Sequence, residues 1–308
     1  MINIKLFAFQ TVAILLLTSI SAFLFAQLPS HLREYPLAER KASGDLVAPI
    51  FNGWTPHEDG SVTMLFGFAN RNREEIVDIP LGPNNYIEPA EFNGAQPTHF
   101  PVYNRGGFIG INERGTFAVT VPPDMVGTEV VWTLKYAGYE YSVPGRATST
   151  TYEMSEGERA LGTLAPAIRF DINGAETTTR EGIKASRITA SVGTPVNLSA
   201  YVQDRGNRAK YPEQSKLLFY PLTTDWVMHQ GPAAPKFERS LILDSDRVAE
   251  GINQLSAEDW IHVQTLATFR EPGEYIIRLR VSNFAAPDSR FDNMCCWSNA
   301  YVPVTVTP

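Results

Sequence analysis

The chain has 308 residues, of which 44% are hydrophobic and 19% charged, with a formal net charge of -7. This is globular composition, long enough for two separate cores, and it sets wholesale disorder aside. The basic residues are scattered, so there is no electrostatic footprint for nucleic acid or for an anionic membrane surface. With 22 Gly, 22 Pro, abundant Val and Thr and no long run of apolar residues at helical spacing, the composition favours many short strands.

Met1 to Lys5 carries one positive charge, and Leu6 to Ala26 is almost wholly apolar. Residues 1–26 therefore read as a secretory signal peptide, cleaved after the small Ala26. An uncleaved anchor is the competing reading, because about 20 apolar residues span a bilayer. Either way the expected location is secreted or periplasmic, with no membrane contact beyond this segment. Residues 27–45, polar and Pro-containing, form an N-terminal arm.

A first sandwich is expected over residues 46–145. Val62, Met64, Phe66 and Phe68 alternate with Ser61, Thr63, Leu65 and Gly67 and stop at the polar turn Asn70 to Arg73, the period of a half-buried strand. Ile76 to Pro80 reads as a short partner and 81–107 as a long loop. Alternation resumes at Phe117, Val119 and Val121, then at Val130 to Tyr136 and Tyr139 to Val143. Residues 146–166, rich in Ser, Thr, Glu and Gly, read as a linker.

The second sandwich is expected over 167–308. Val196 to Val202 alternates, Leu217 to Trp226 is the next strand candidate, and Tyr301 to Thr307 closes the chain. Val263 to Asn283 is the clearest signal: two alternating runs separated by Glu271-Pro272-Gly273-Glu274. Tyr275, Ile277, Leu279 and Val281 are expected to face a core, and Ile276, Arg278, Arg280 and Ser282 to face water. A Tyr just after a Pro-Gly corner at the head of the longest strand resembles the tyrosine corner of immunoglobulin-like sandwiches.

The segment from Ser191-Val-Gly-Thr-Pro-Val-Asn-Leu-Ser-Ala-Tyr-Val, through a Trp-bearing strand and Ala267-Thr-Phe-Arg-Glu-Pro-Gly-Glu-Tyr, to a Val-Thr-Val end resembles bacterial polycystic-kidney-disease-type (PKD-like) and related immunoglobulin-like domains. The resemblance covers Ser191 to Pro308 and implies a seven-strand sandwich with Trp226 and Tyr275 in the core. Domains of this kind serve as spacers, adhesion units or binding modules. The connection between Trp226 and Val263 is longer than the family's usual one. The whole chain is also similar to secreted two-domain bacterial proteins.

Three constellations could carry chemistry. Cys295 and Cys296 are adjacent, and neighbouring Cα atoms lie about 3.8 Å apart, so a vicinal disulfide would strain the backbone. Such a bridge, a buried thiol beside an inert one, a redox or intermolecular role, and soft-metal binding of copper with Met294 all stay open. Asp244 and Asp246, and Asp288 with Asp292 and Asn293, could offer oxygens to calcium or remain solvated. Trp54, Tyr86, Phe92, Phe100 and Tyr103, with Asn84, Asn85, Asn93 and Arg105 nearby, could form an aromatic platform for a saccharide or peptide, or pack a long loop over its own sandwich. Asn197-Leu-Ser199 matches a glycosylation sequon within a predicted strand.

The five histidines are dispersed, and no phosphate loop, nucleophile elbow or zinc signature is present. The expectation is an all-β protein of two antiparallel immunoglobulin-like sandwiches in tandem, acting as a non-catalytic extracytoplasmic binding or structural module. The alternative is a secreted enzyme, or a redox or metal-binding protein, with its site at the domain junction or around Cys295 and Cys296.

Overall fold

A computed structural model describes residues 39–103, 111–148, 150–160, 162–177, 179–206, 222–238, 241–243, 260–282 and 296–308. No helix among them is long and apolar enough to cross a membrane. The fold is all-β, and residues from Lys41 to Pro308 form one compact unit.

The first half packs two three-stranded antiparallel sheets face to face. One contains β1 (Val47–Pro56), β2 (Val62–Asn70) and β6 (Asn112–Val121), in that order. The other contains β4 (Asn85–Glu88), β7 (Val130–Tyr136) and β8 (Tyr139–Gly145), with β7 central. A two-stranded pair, β3 (Val77–Asp78) with β5 (His99–Phe100), closes one side. Phe66, Phe68, Phe100, Phe117 and Trp132 fill the core. Trp132 meets Phe117 edge-on at 5.0 Å between centroids and donates its indole N–H to Asn85 Oδ1 at 3.0 Å. That bond satisfies a polar atom that burial would otherwise leave orphaned.

The sequence conceals β1 because Pro49, Asn52, Gly53 and Pro56 interrupt its alternation. Pro is tolerated there since β1 is an edge strand. A bulge between Phe51 and Gly53 absorbs Asn52, whose buried amide oxygen accepts the Gly115 backbone N–H at 2.8 Å. The expected loop 81–107 likewise contains β4, the short 3-10 helix η1 (Ala90–Phe92) and β5.

The second half has the strand order of an immunoglobulin-like sandwich. One sheet runs β14 (Lys236–Phe237), β16 (Ile261–Thr268), β12 (Val196–Gln203) and β9 (Ala167–Arg169). The other runs β10 (Ile183–Lys184), β18 (Trp297–Thr307), β17 (Gly273–Ser282), β13 (Thr223–Gln230) and β15 (Leu241–Leu243). Pairing is antiparallel except where β10 and β11 (Ile188–Ser191) run parallel to β18. The core gathers Trp226, Tyr275, Leu279, Phe269 and Val304. Tyr275 donates its hydroxyl to the Glu271 carbonyl at 2.8 Å, four residues upstream, and packs on Phe269 at 4.7 Å. This is the geometry of a tyrosine corner. The strand expected over Leu217 to Trp226 is seen as β13 from Thr223 on, since 207–221 lie outside the described residues.

One expectation is corrected by packing. Part of the outer face of β17 does not meet water: Arg278 is 2% exposed, covered by Glu113 and the Thr116 carbonyl of the first sandwich, and Ser282 is 8% exposed. Described residues of the expected linker 146–166 pack at the junction. Met154 donates its backbone N–H to the Trp54 carbonyl at 2.9 Å, and its side chain is buried with Leu65, Ala118 and Trp297 in a small core between the sandwiches.

Candidate functional site at the junction of the sandwiches

The unusual chemistry of the described residues lies where β6 of the first sandwich meets β17 and β18 of the second. Glu113 is fully buried, and each of its carboxylate oxygens accepts from a different guanidinium: Oε1 from Arg278 and Oε2 from Arg280, both at 2.9 Å. Arg278 also donates to the Thr116 carbonyl at 3.2 Å. Asn299 donates to the Gly115 carbonyl at 2.7 Å, and the Tyr301 hydroxyl donates to the Thr116 carbonyl at 3.2 Å. Burial works against the Arg278 charge, but the Glu113 carboxylate, with the Tyr103 and Tyr301 hydroxyls, outweighs it and raises the guanidinium above its ordinary pKa. Such a network adds little net stability over an apolar core, yet losing one partner strands buried charge.

Close approach at this junction requires Gly115. Its φ is 56°, and a Cβ there would overlap the Trp297 indole. A second set of bonds docks the end of β13 on residues 94–98. The His229 backbone carbonyl accepts the Thr98 N–H at 2.8 Å, and Gln230 Nε2 donates to the Gly94 and Gln96 carbonyls at 2.8 and 2.7 Å. The His229 ring is 3% exposed, with Nε2 at 2.8 Å from the Ala95 carbonyl and Nδ1 without a partner. Burial, then the Arg278 charge, pulls this imidazole down to about 3, against the pull of the Ala95 hydrogen bond. Burial also pushes the neighbouring Tyr301 phenol up to about 12, its ring centroid 5.1 Å from that of His229. A cavity of about 190 Å³ lies beside them.

A second cleft, about 230 Å³, opens where the end of β1, the 146–166 strap and the segment after β9 meet. Arg180, Arg205, His57, Glu156 and Thr179 line it.

The structure scatters the residues singled out in the sequence. Trp54 lies on β1 and Tyr86 on β4, so neither is a loop residue. Trp54, Phe92 and Tyr103 are partly buried and pack against the first core, Phe100 is fully buried within it, and Lys135 lies 5.9 Å over the Tyr86 ring. Asn85 and Asn93 turn their amides inward to bond the 79–97 backbone and Gln96. Arg105 lies outside the described residues, as do Asp244, Asp246, Asp288, Asp292, Asn293, Met294 and Cys295. Cys296 is buried and disulfide-bonded, and Cys295 is the only other cysteine in the chain. Among the described residues no group of three or more His, Cys, Asp or Glu is placed to hold a metal ion. Asn197 is exposed on β12.

Sequence reasoning missed Glu113 and both clefts. The one available signal was two arginines at alternate positions of the strongest strand, Arg278 and Arg280, which read equally well as a solvated face.

No protein-family model matches the chain, and no curated protein matches it significantly. Among solved structures it is similar to domains 4 and 5 of the S-layer protein SbsC, at 10% identity and a TM-score of 0.24, over 59% of this chain and 66% of that one. It is also similar to the D0-D1 domain of intimin, at 11% identity and a TM-score of 0.25, over 84% of this chain and 97% of that one. A third similarity is to the PapD-like domain 7 of human CEP192, at 9% identity and a TM-score of 0.26, over 47% and 87% respectively.

Proposed function

We propose that the chain is a non-catalytic structural or binding module that works outside the cytoplasm, with its two sandwiches joined into one rigid body rather than strung on a flexible linker. The observation that carries this reading is the shared Glu113 carboxylate, which is buried at the junction and held by arginines of the other sandwich. A flexible pair of domains keeps its mutual surface polar and wet. Here the facing surfaces include a fully buried charge, an apolar contact through Trp297 and Met154, and hydrogen bonds between residues 94–98 and β13. Such an assembly holds a fixed geometry between whatever its two ends contact. Its partner is an extracellular protein or a saccharide, or the module is a spacer between other parts of a surface assembly.

Amide relaxation by NMR tests the rigid coupling. One rotational correlation time common to both sandwiches is expected. Separate tumbling of residues 46–145 and 167–308 would reject it. Fractionation of producing cells tests the location, and retention of the full-length chain in the cytoplasm would overturn that part.

A further inference from the structure

We propose that the cleft lined by Arg180, Arg205 and Thr179 binds a small acceptor-rich anion, a carboxylate or a phosphoryl group. The inference rests on hydrogen-bond accounting and is independent of whether the sandwiches tumble together. The Arg180 side chain is only 7% exposed. Of the five donors of a guanidinium, it uses one on the Trp297 carbonyl at 3.2 Å and one on Glu156 Oε2 at 2.8 Å. Glu156 is the one carboxylate among the described lining residues, and each of its oxygens already accepts a bond, Oε2 from Arg180 and Oε1 from the Ala165 N–H at 2.9 Å.

The hydroxyls of the cleft tilt the balance the same way. Thr177 already accepts the Ile168 N–H at 3.0 Å, which leaves its proton to give. Thr55 Oγ1 is buried without any partner. Thr179 stands exposed at the rim, next to Arg180 in the chain. Arg205, paired through one nitrogen with Glu176, closes the opposite wall. Arg180 therefore keeps unused N–H donors beside these hydroxyls, while the charges of Arg180 and Arg205 are balanced by Glu156 and Glu176. A neutral donor-rich ligand would meet donors with donors. A planar carboxylate or a tetrahedral phosphoryl group accepts from several directions and matches guanidinium geometry. The volume of about 230 Å³ admits one such group with a small attached body, such as a sugar acid.

Isothermal calorimetry at constant ionic strength, with inorganic phosphate, acetate and D-glucuronate as probes, tests the assignment. Saturable binding of at least one probe with a Kd of about 1 mM or tighter is expected, and which probe binds identifies the source of the anion. Arg205→Gln should weaken that binding tenfold or more, and Thr179→Ala severalfold, while near-ultraviolet circular dichroism stays unchanged. Thr179→Ala decides the matter if Arg205→Gln does not fold. No saturable binding of any probe, or equal binding by the folded variants, would overturn the proposal.

Discussion

Replacing Glu113 with Gln removes one negative charge from a site that holds two positive ones. The amide keeps the shape of the carboxylate, so packing hardly changes, but the guanidinium of Arg278, 2% exposed, and that of Arg280, 15% exposed, lose their shared counter-charge. Removing one partner of a buried pair costs about 3–5 kcal/mol, chiefly because the other charge stays desolvated. Arg280 can turn part of its charge toward water, which places the expected loss near the middle, about 4 kcal/mol. For a unit of this size that lowers the melting temperature by roughly 8–16 °C. Calorimetric melting and urea unfolding at pH 7 measure it. Removing both fully buried charges together, in Glu113→Met with Arg278→Met, should be milder than Glu113→Gln alone, since apolar replacement of a buried pair is often neutral. The reasoning fails if Glu113→Gln stays within about 1 kcal/mol of wild type, or if the double variant is the less stable of the two.

Acid should probe the same junction through His229. The native ring titrates at about 3 and the unfolded one near 6.5, so below pH 6.5 the unfolded chain binds a proton that the native one refuses. Stability is then lost as pH falls from 6.5 toward 3, by about 3 kcal/mol at pH 4.5. His229→Gln keeps a donor for the Ala95 carbonyl and should flatten that slope by this amount in urea titrations; parallel curves for the two proteins would contradict it. Gly115→Ala meets the Trp297 indole at a positive φ and is expected to cost about 2–4 kcal/mol, with Trp297 fluorescence shifting to longer wavelength in the surviving native fraction. Tyr275→Phe removes the corner hydroxyl bond and should cost about 1 kcal/mol, read from the urea midpoint; a change in m-value instead would mean the corner shapes the denatured state. Alkylation of the unreduced protein should label neither cysteine, as Cys296 is disulfide-bonded, and mass spectrometry of a labelled peptide containing residue 296 would refute it.

Period-two alternation made β2, β6, β7, β12, β16 and β17 legible, because each of those strands packs one face on its own core. The tyrosine corner was legible for the same local reason: Pro272 and Gly273 set the turn and Tyr275 heads the strand. Strands β1 and β4 were not, since Pro49, Gly53 and the Asn-rich 84–93 stretch read as turns until a neighbouring strand supplies their hydrogen bonds. The aromatic residues Trp54, Phe92 and Tyr103 looked like exposed rings for want of a partner, and the partner was the core of their own sandwich.

What the sequence determined by itself was the class: an all-β chain with an alternating strand pair at its centre, acidic overall and free of the common catalytic signatures. What only the tertiary structure decided was where that pair's second face goes. Arg278 and Arg280 alternate with core residues just as solvent-facing arginines do. Nothing local marks Glu113, 165 positions from Arg278, as their partner. A buried ion network is a property of two surfaces meeting, and Gly115 lets them meet closely because a Cβ there would overlap the Trp297 indole.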